Sequence, residues 1–140
     1  MLSALQRYML CFVGLPYIWG GDDPVVGFDC SGLAQEFLAA AGKDFPGDQN
    51  AQALYDLGKK AGWAPGVRGC GALCFYGSSL THITHVAMMF DESVVVEAGG
   101  GGSKTTSAAA AAAQNAYIRM RPHDRRADLV AILMPPYAKA

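Results

Sequence analysis

No run in this 140-residue sequence approaches the roughly 20 unbroken apolar residues that cross a bilayer, which excludes a helical membrane span. Charge is scarce too. Only 16% of residues are charged, and 11 Lys and Arg against 12 Asp and Glu leave no excess of either sign. No basic stripe is present to neutralise a row of phosphates, so nucleic acid is not an expected partner. With half the residues apolar, the chain reads as globular rather than disordered. Cysteine occurs four times, at 11, 30, 70 and 74. Two bridges are arithmetically possible, but a chain long enough for one sizeable core needs no staples, so four free thiols are expected.

Two motifs fail on inspection. Cys70, Cys74, His82 and His85 have only seven residues between the cysteine and histidine pairs, against about twelve in a zinc finger, so no metal is expected. The stretch "AGGGGSKTT" has Ala98 and Ser103 where a phosphate-binding loop requires glycine, so Lys104 marks no nucleotide site and no cofactor is expected.

Length fits one domain over 1–140. The opening "MLSALQRYMLCFVGLPYIWGG" has its basic residue inside the apolar run and no small-residue cleavage site, so it reads as a first helix rather than an export signal. Leu2, Leu5, Met9, Phe12 and Val13 recur at helical spacing, and Gly14 and Pro16 end the run. Synthesis in a reducing cytoplasm is the matching expectation. A Gly-, Pro- and Asp-rich loop over 14–29 leads to a second helix over 31–41, with Asp29 as its N-cap, and a third helix runs from after Asp48 to Lys60. The period then changes to strands at 72–76, 85–90, 93–98, 116–121 and 129–134. Helices first and strands second predict an α+β domain, with the helices on one side of an antiparallel sheet. The low-complexity segment 99–113 reads as a mobile flap.

The chemistry centres on "FDCSGL". If a helix starts at Ser31, the sulfur of Cys30 lies beside its N-terminus, where unpaired N–H groups favour thiolate. The bland alternative is a buried small hydrophobe, which the polar flanks Asp29 and Ser31 weaken. A thiol nucleophile needs a base, and His85 opens an apolar strand. A three-residue turn at 91–93 would place residue 87 opposite 97, making His85 and Glu97 diagonal neighbours about 7 to 8 Å apart on one sheet face. One residue of slip would move Glu97 to the other face. His82 is the reserve base, expected ahead of the strand. His123 reads as surface, and Trp19 and Trp63 as core rather than sugar platforms, with Trp19 close enough in sequence to line a groove.

The ordered set "YIWGG", "FDCSGL", "HVAMMF" and Glu97, twelve residues after His85, resembles the NlpC-type cell-wall cysteine peptidases, a papain-like family. The resemblance runs from the first helix through Ala98. It implies a papain-like fold with Cys30 as nucleophile, His85 as base, Glu97 as the group orienting the histidine, and Tyr17 beside the thiol. Asp29 and Ser31 are candidates for substrate or oxyanion contacts together with Tyr17. It departs from the family pattern at Glu97, where a second histidine is usual, at Ala72, where an acid is usual, and over 99–115. The implied substrate is the peptidoglycan stem peptide, commonly cut between D-glutamate and diaminopimelate. A stand-alone domain of this kind suggests a phage lysin, a tail-associated or virion wall hydrolase, or a delivered toxin, with the phage reading favoured and phage tail or virion components as partners. Related folds include acyltransferases, and a non-catalytic wall-binding or tail-assembly module would keep the fold without a reactive thiol.

Overall fold

The computed structural model describes residues 1–23 and 27–137; the middle of the 14–29 loop, residues 24–26, lies outside them. Helix α1 spans Ala4–Leu10. Ser3 caps it by accepting from the Gln6 N–H, and the Gln6 side chain accepts from the Ser3 N–H at 2.8 Å, a reciprocal capping box. The helix is shorter than the apolar pattern predicts. Cys11 and Phe12 donate to carbonyls three residues back, tightening the end of the helix. Met9 and Phe12 face the core, while Leu2, ahead of the cap, and Val13, past the last turn, are exposed.

A two-residue hairpin follows, β1 (Asp22–Asp23) against β2 (Gly27–Phe28), too short to leave an alternation in the sequence. Helix α2 is Cys30–Ala40, capped by Asp29 as predicted, and α3 is Ala51–Lys60, capped by Asn50 with Lys59 and Lys60 in its last turn. The remaining strands are β3 (Ala64–Pro65), β4 (Leu73–Ser79), β5 (His82–Met89), β6 (Val94–Gly99), β7 (Tyr117–Pro122) and β8 (Leu129–Met134), with α4 (Ala108–Gln114) between β6 and β7. They form an antiparallel sheet in the order β3-β8-β4-β5-β6-β7.

Strands β4 and β5 run three residues further toward their shared turn than expected. The sequence "GSS" reads as loop, but Gly77 sits at a bulge where a Cβ would lie 2.0 Å from the His82 carbonyl oxygen, so glycine lets the pair continue. His82 is therefore the first strand residue rather than a loop residue. It is exposed, and its Nδ1 meets the hydroxyls of Ser79 and Thr81.

As expected, α2 and α3 lie on one face of the sheet. Leu33, Phe37, Leu38 and Leu54 pack there against Leu73, Phe75, Val86, Met88 and Val96, all almost fully buried. A side chain of this kind contributes about 1.5–3 kcal/mol when removed from water, so this layer dominates stability. The alternate strand positions Cys74, Tyr76, Ala87, Met89 and Val95 build a smaller apolar cluster on the other face. All four cysteines are free.

Candidate active site

Cys30 is the first residue of α2, so its backbone N–H lies outside the intrahelical ladder. The loop before it is locked by Asp29, whose carboxylate accepts from the backbone N–H of Gly32 (2.7 Å) and of Gly20 (3.0 Å) and from the Ser31 hydroxyl (3.3 Å). Burial pushes the Asp29 carboxyl up from its ordinary value, against the pull of these donors. The "YIWGG" stretch runs beside β2. Tyr17 bridges Phe28, two residues before Cys30, and the Ile18 N–H donates to the Phe28 carbonyl, so Tyr17 and Cys30 line the same cavities.

His85, the candidate base, and Glu97 come from the β5–β6 hairpin. Met88 pairs with Val96, Met89 with Val95, and the Phe90 N–H donates to the Val94 carbonyl, so the turn is 91–93 and the register is the expected one. The ladder stops at Met88–Val96. Beyond it His85 Nε2 lies 2.5 Å from Glu97 Oε2, both side chains buried. Glu97 holds Nε2, so Nδ1 is the ring nitrogen not engaged by the glutamate. Burial works against the imidazolium, but hydrogen bonds to Cys30 and Glu97, and the charges of both, outweigh it and push the His85 pKa up to about 9. Burial likewise opposes the Glu97 carboxylate. Its bond to His85 and the charges of His85, Arg121 and Arg126 prevail and lower its pKa.

Behind the histidine stands Tyr76, its direct partner across β4–β5, with ring centroids 5.4 Å apart. The Tyr76 hydroxyl donates to the His123 carbonyl at 2.6 Å, and the Arg126 guanidinium lies over its ring at 5.3 Å. His123 is not a surface residue. It is buried, with its Nδ1 donating to the Ser93 carbonyl at 2.9 Å, because the β7–β8 connection folds back onto the β5–β6 turn.

Two cavities flank Cys30. The first, about 340 Å³, is lined by His85 and Glu97, by Gly99 to Gly102, and by Arg121, Arg125 and Arg126. The second, about 500 Å³, contains Asp29, Ser31, Asp48 and Asn50. Tyr17, Trp19 and Thr84 border both. Trp19 is 53% exposed, which corrects its expected place in the core; Trp63 is in the core, stacked on Phe45. The glycine-rich segment is tied down rather than free. Thr105 is fully buried, donates to Gln114 Oε1 and accepts from the Gly102 N–H, while its carbonyl takes the Trp19 N–H at 2.7 Å. A Cβ on Gly101 would lie 2.3 Å from the Tyr17 ring, so the loop passes against the tyrosine.

The model of the NlpC/P60 family matches residues 14–122, a span that includes Tyr17, Cys30, His85 and Glu97. The chain belongs to the NlpC/P60 family. It is similar to the bifunctional muramidase/DL-endopeptidase CwlT of Bacillus subtilis (strain 168), 40% identical over 88 residues, which are 61% of this chain and 26% of CwlT. The chain thus spans about a quarter of that relative's length. A crystal structure from Staphylococcus aureus subsp. aureus Mu50, described as similar to a lipoprotein of the NLP/P60 family, is 25% identical with a TM-score of 0.62, over 94% of this chain and 40% of that one. The P60 domain of an antigen from M. avium subspecies paratuberculosis shares the fold, with a TM-score of 0.65 at 23% identity over 96% of this chain and 93% of that one.

Within this NlpC/P60 chain the sequence brought forward Cys30, His85, Glu97, Tyr17, Asp29 and Ser31, and the fold gathers all six around the two cavities. Asp29 and Ser31 direct much of their hydrogen bonding into the loop that carries Cys30. Sequence reasoning missed Tyr76 and the arginines of "RMRPHDRR". The available signal was clustering, since four of the chain's six arginines fall between 119 and 126.

Proposed function

We propose that this chain is a cysteine endopeptidase that hydrolyses peptidoglycan stem peptides, at the bond between D-glutamate and diaminopimelate, through Cys30, His85 and Glu97. One observation carries the reading: a buried histidine bonded through Nε2 to a buried glutamate and lining the same cavity as a cysteine at a helix start. The DL-endopeptidase half of the name of its Bacillus relative supports the substrate class.

In this mechanism the Cys30 sulfur attacks the carbonyl carbon while the carbonyl oxygen takes up negative charge. The backbone N–H of Cys30 donates to that oxygen, with the Tyr17 hydroxyl as a second donor. As the carbon–nitrogen bond breaks, His85 gives its Nδ1 proton to the departing amine, leaving a thioester on Cys30. His85 then takes a proton from water, hydroxide attacks the thioester, and the thiolate leaves as the acid is released. Glu97 fixes the ring and stabilises its charge throughout.

Mass spectrometry of purified muropeptides after incubation tests this. Wild-type protein yields two fragments split at the D-glutamyl bond, and Cys30→Ala yields none while keeping a native circular dichroism spectrum. Full cleavage by Cys30→Ala would falsify the assignment, and cleavage at another bond would replace the substrate reading.

A further inference from the structure

The two cavities beside Cys30 carry opposite charge. Among the described residues, the second holds Asp29 and Asp48 with no Lys or Arg in its wall, whereas the first holds Arg121, Arg125 and Arg126. Among the described residues, the only carboxylate lining the first is Glu97, and it is already engaged by His85 at 2.5 Å. Arg126 is satisfied by a fork onto Asp128, at 2.9 and 2.7 Å, and by the Tyr76 ring. Arg121 is held less tightly: its Nε makes a long ion pair with Glu97 Oε1 at 3.6 Å, beyond hydrogen-bond reach. Arg125 is exposed and has no acidic partner among the described residues. Among the described residues, Arg125 therefore faces this cavity without an acidic partner, and Arg121 faces it with a long ion pair to Glu97 and no hydrogen bond to an acid.

The position of His85 decides which half of a substrate meets these arginines. The imidazolium must protonate the departing amine, so the amine-bearing half occupies the cavity that His85 lines, and that is the arginine-lined one. We infer that Arg121 and Arg125 form a carboxylate-binding subsite for the leaving half of the substrate. The subsite selects substrates whose amine-side residue carries a free carboxylate over those in which that group is amidated or absent. Planar guanidinium groups suit this task, since they offer parallel donors to a carboxylate. The inference rests on the hydrolase reading above and adds to it a determinant of specificity.

The test uses two synthetic peptides with the same acyl half and the same scissile bond, differing only in a carboxylate or a carboxamide on the amine-side residue. Wild-type protein should show kcat/KM about 10- to 100-fold higher for the carboxylate, the range expected for a hydrogen-bonded charged group. The preference should fall several-fold in Arg125→Gln and to near unity in Arg121→Gln/Arg125→Gln, mainly through KM, and it should weaken with added salt. Equal turnover of the two peptides by wild type, or equal losses on both in the arginine variants, overturns the subsite. Titration calorimetry of both peptides into Cys30→Ala, with and without Arg125→Gln, separates the two claims. Carboxylate-selective binding lost with Arg125 upholds the subsite even if no bond is cut, and non-selective binding removes it even if hydrolysis stands.

Discussion

A Cβ built on Gly32 would fall 2.1 Å from the carbonyl oxygen of Gly21 and 2.8 Å from Asp29 Oδ1. The first turn of α2 thus rests directly on the backbone of the "YIWGG" loop, and the same Gly21 carbonyl accepts from the Asp29 N–H at 3.1 Å. In a helix, Gly→Ala ordinarily stabilises by about 1 kcal/mol. Here the sign reverses. Gly32→Ala should cost about 2 kcal/mol or more, because backbone rather than a flexible side chain must yield. Urea denaturation measures it, and a raised midpoint would show that the loop moves aside freely.

The pairing of His85 with Glu97 sets the alkaline limit of activity. The imidazolium persists to about pH 9, so kcat/KM should fall as pH rises through that value. Glu97→Gln removes the charge that helps hold the proton, so the limit should move toward the ordinary histidine value of 6.5. Glu97→Ala should lose roughly 10- to 1,000-fold in turnover. A pH profile unchanged in both variants would leave His85 without its orienting partner.

The same pair contributes to stability in a window that follows from the shifts. His85 has a raised pKa, so its contribution is complete below 6.5 and is lost as pH climbs through about 9. Glu97 has a lowered pKa, so its contribution is complete above its ordinary 4.5 and is lost as pH falls through the lowered value. The stability gap between wild type and Glu97→Gln should be widest from about pH 4.5 to 6.5 and close on either side. A gap independent of pH would mean that packing, not charge, separates the two.

Tyr17 is buried, with its hydroxyl held in the protonated form by burial and by the neighbouring Cys30 and Asp29. A neutral hydroxyl at this position is a donor. Tyr17→Phe should lower kcat by roughly 100-fold with little change in KM, as removal of one oxyanion donor does. A change confined to KM would make Tyr17 a binding residue instead.

How far the sequence carried depended on the range over which each signal acts. Cys30 and its cap Asp29 were legible because a helix start is written in four adjacent residues. Glu97 was legible through parity: an odd turn at 91–93 puts it on the face of His85, and no long-range knowledge is needed. The arginines were not legible. Arg121 reaches the cleft through its pairing with Val95, a register set across the 17 residues between β6 and β7, where glycine and alanine carry no periodic signal. The burial of His123 and the exposure of Trp19 depend on the same distant contacts, so composition gave the wrong side for both.

The three groups of the proposed triad arrive from two separately built layers. His85 and Glu97 lie on one hairpin and can meet through local pairing, while Cys30 rides on a helix from the first third of the chain. Nucleophile and base approach each other only when helix and sheet have docked through Leu33, Phe37, Val86 and Val96. On the proposed mechanism, hydrolysis should work as an internal gauge of assembly: a partly folded chain with its hairpin closed but its helices adrift should be inert toward peptide bonds, and the fragments 1–60 and 61–140 should each be silent on their own.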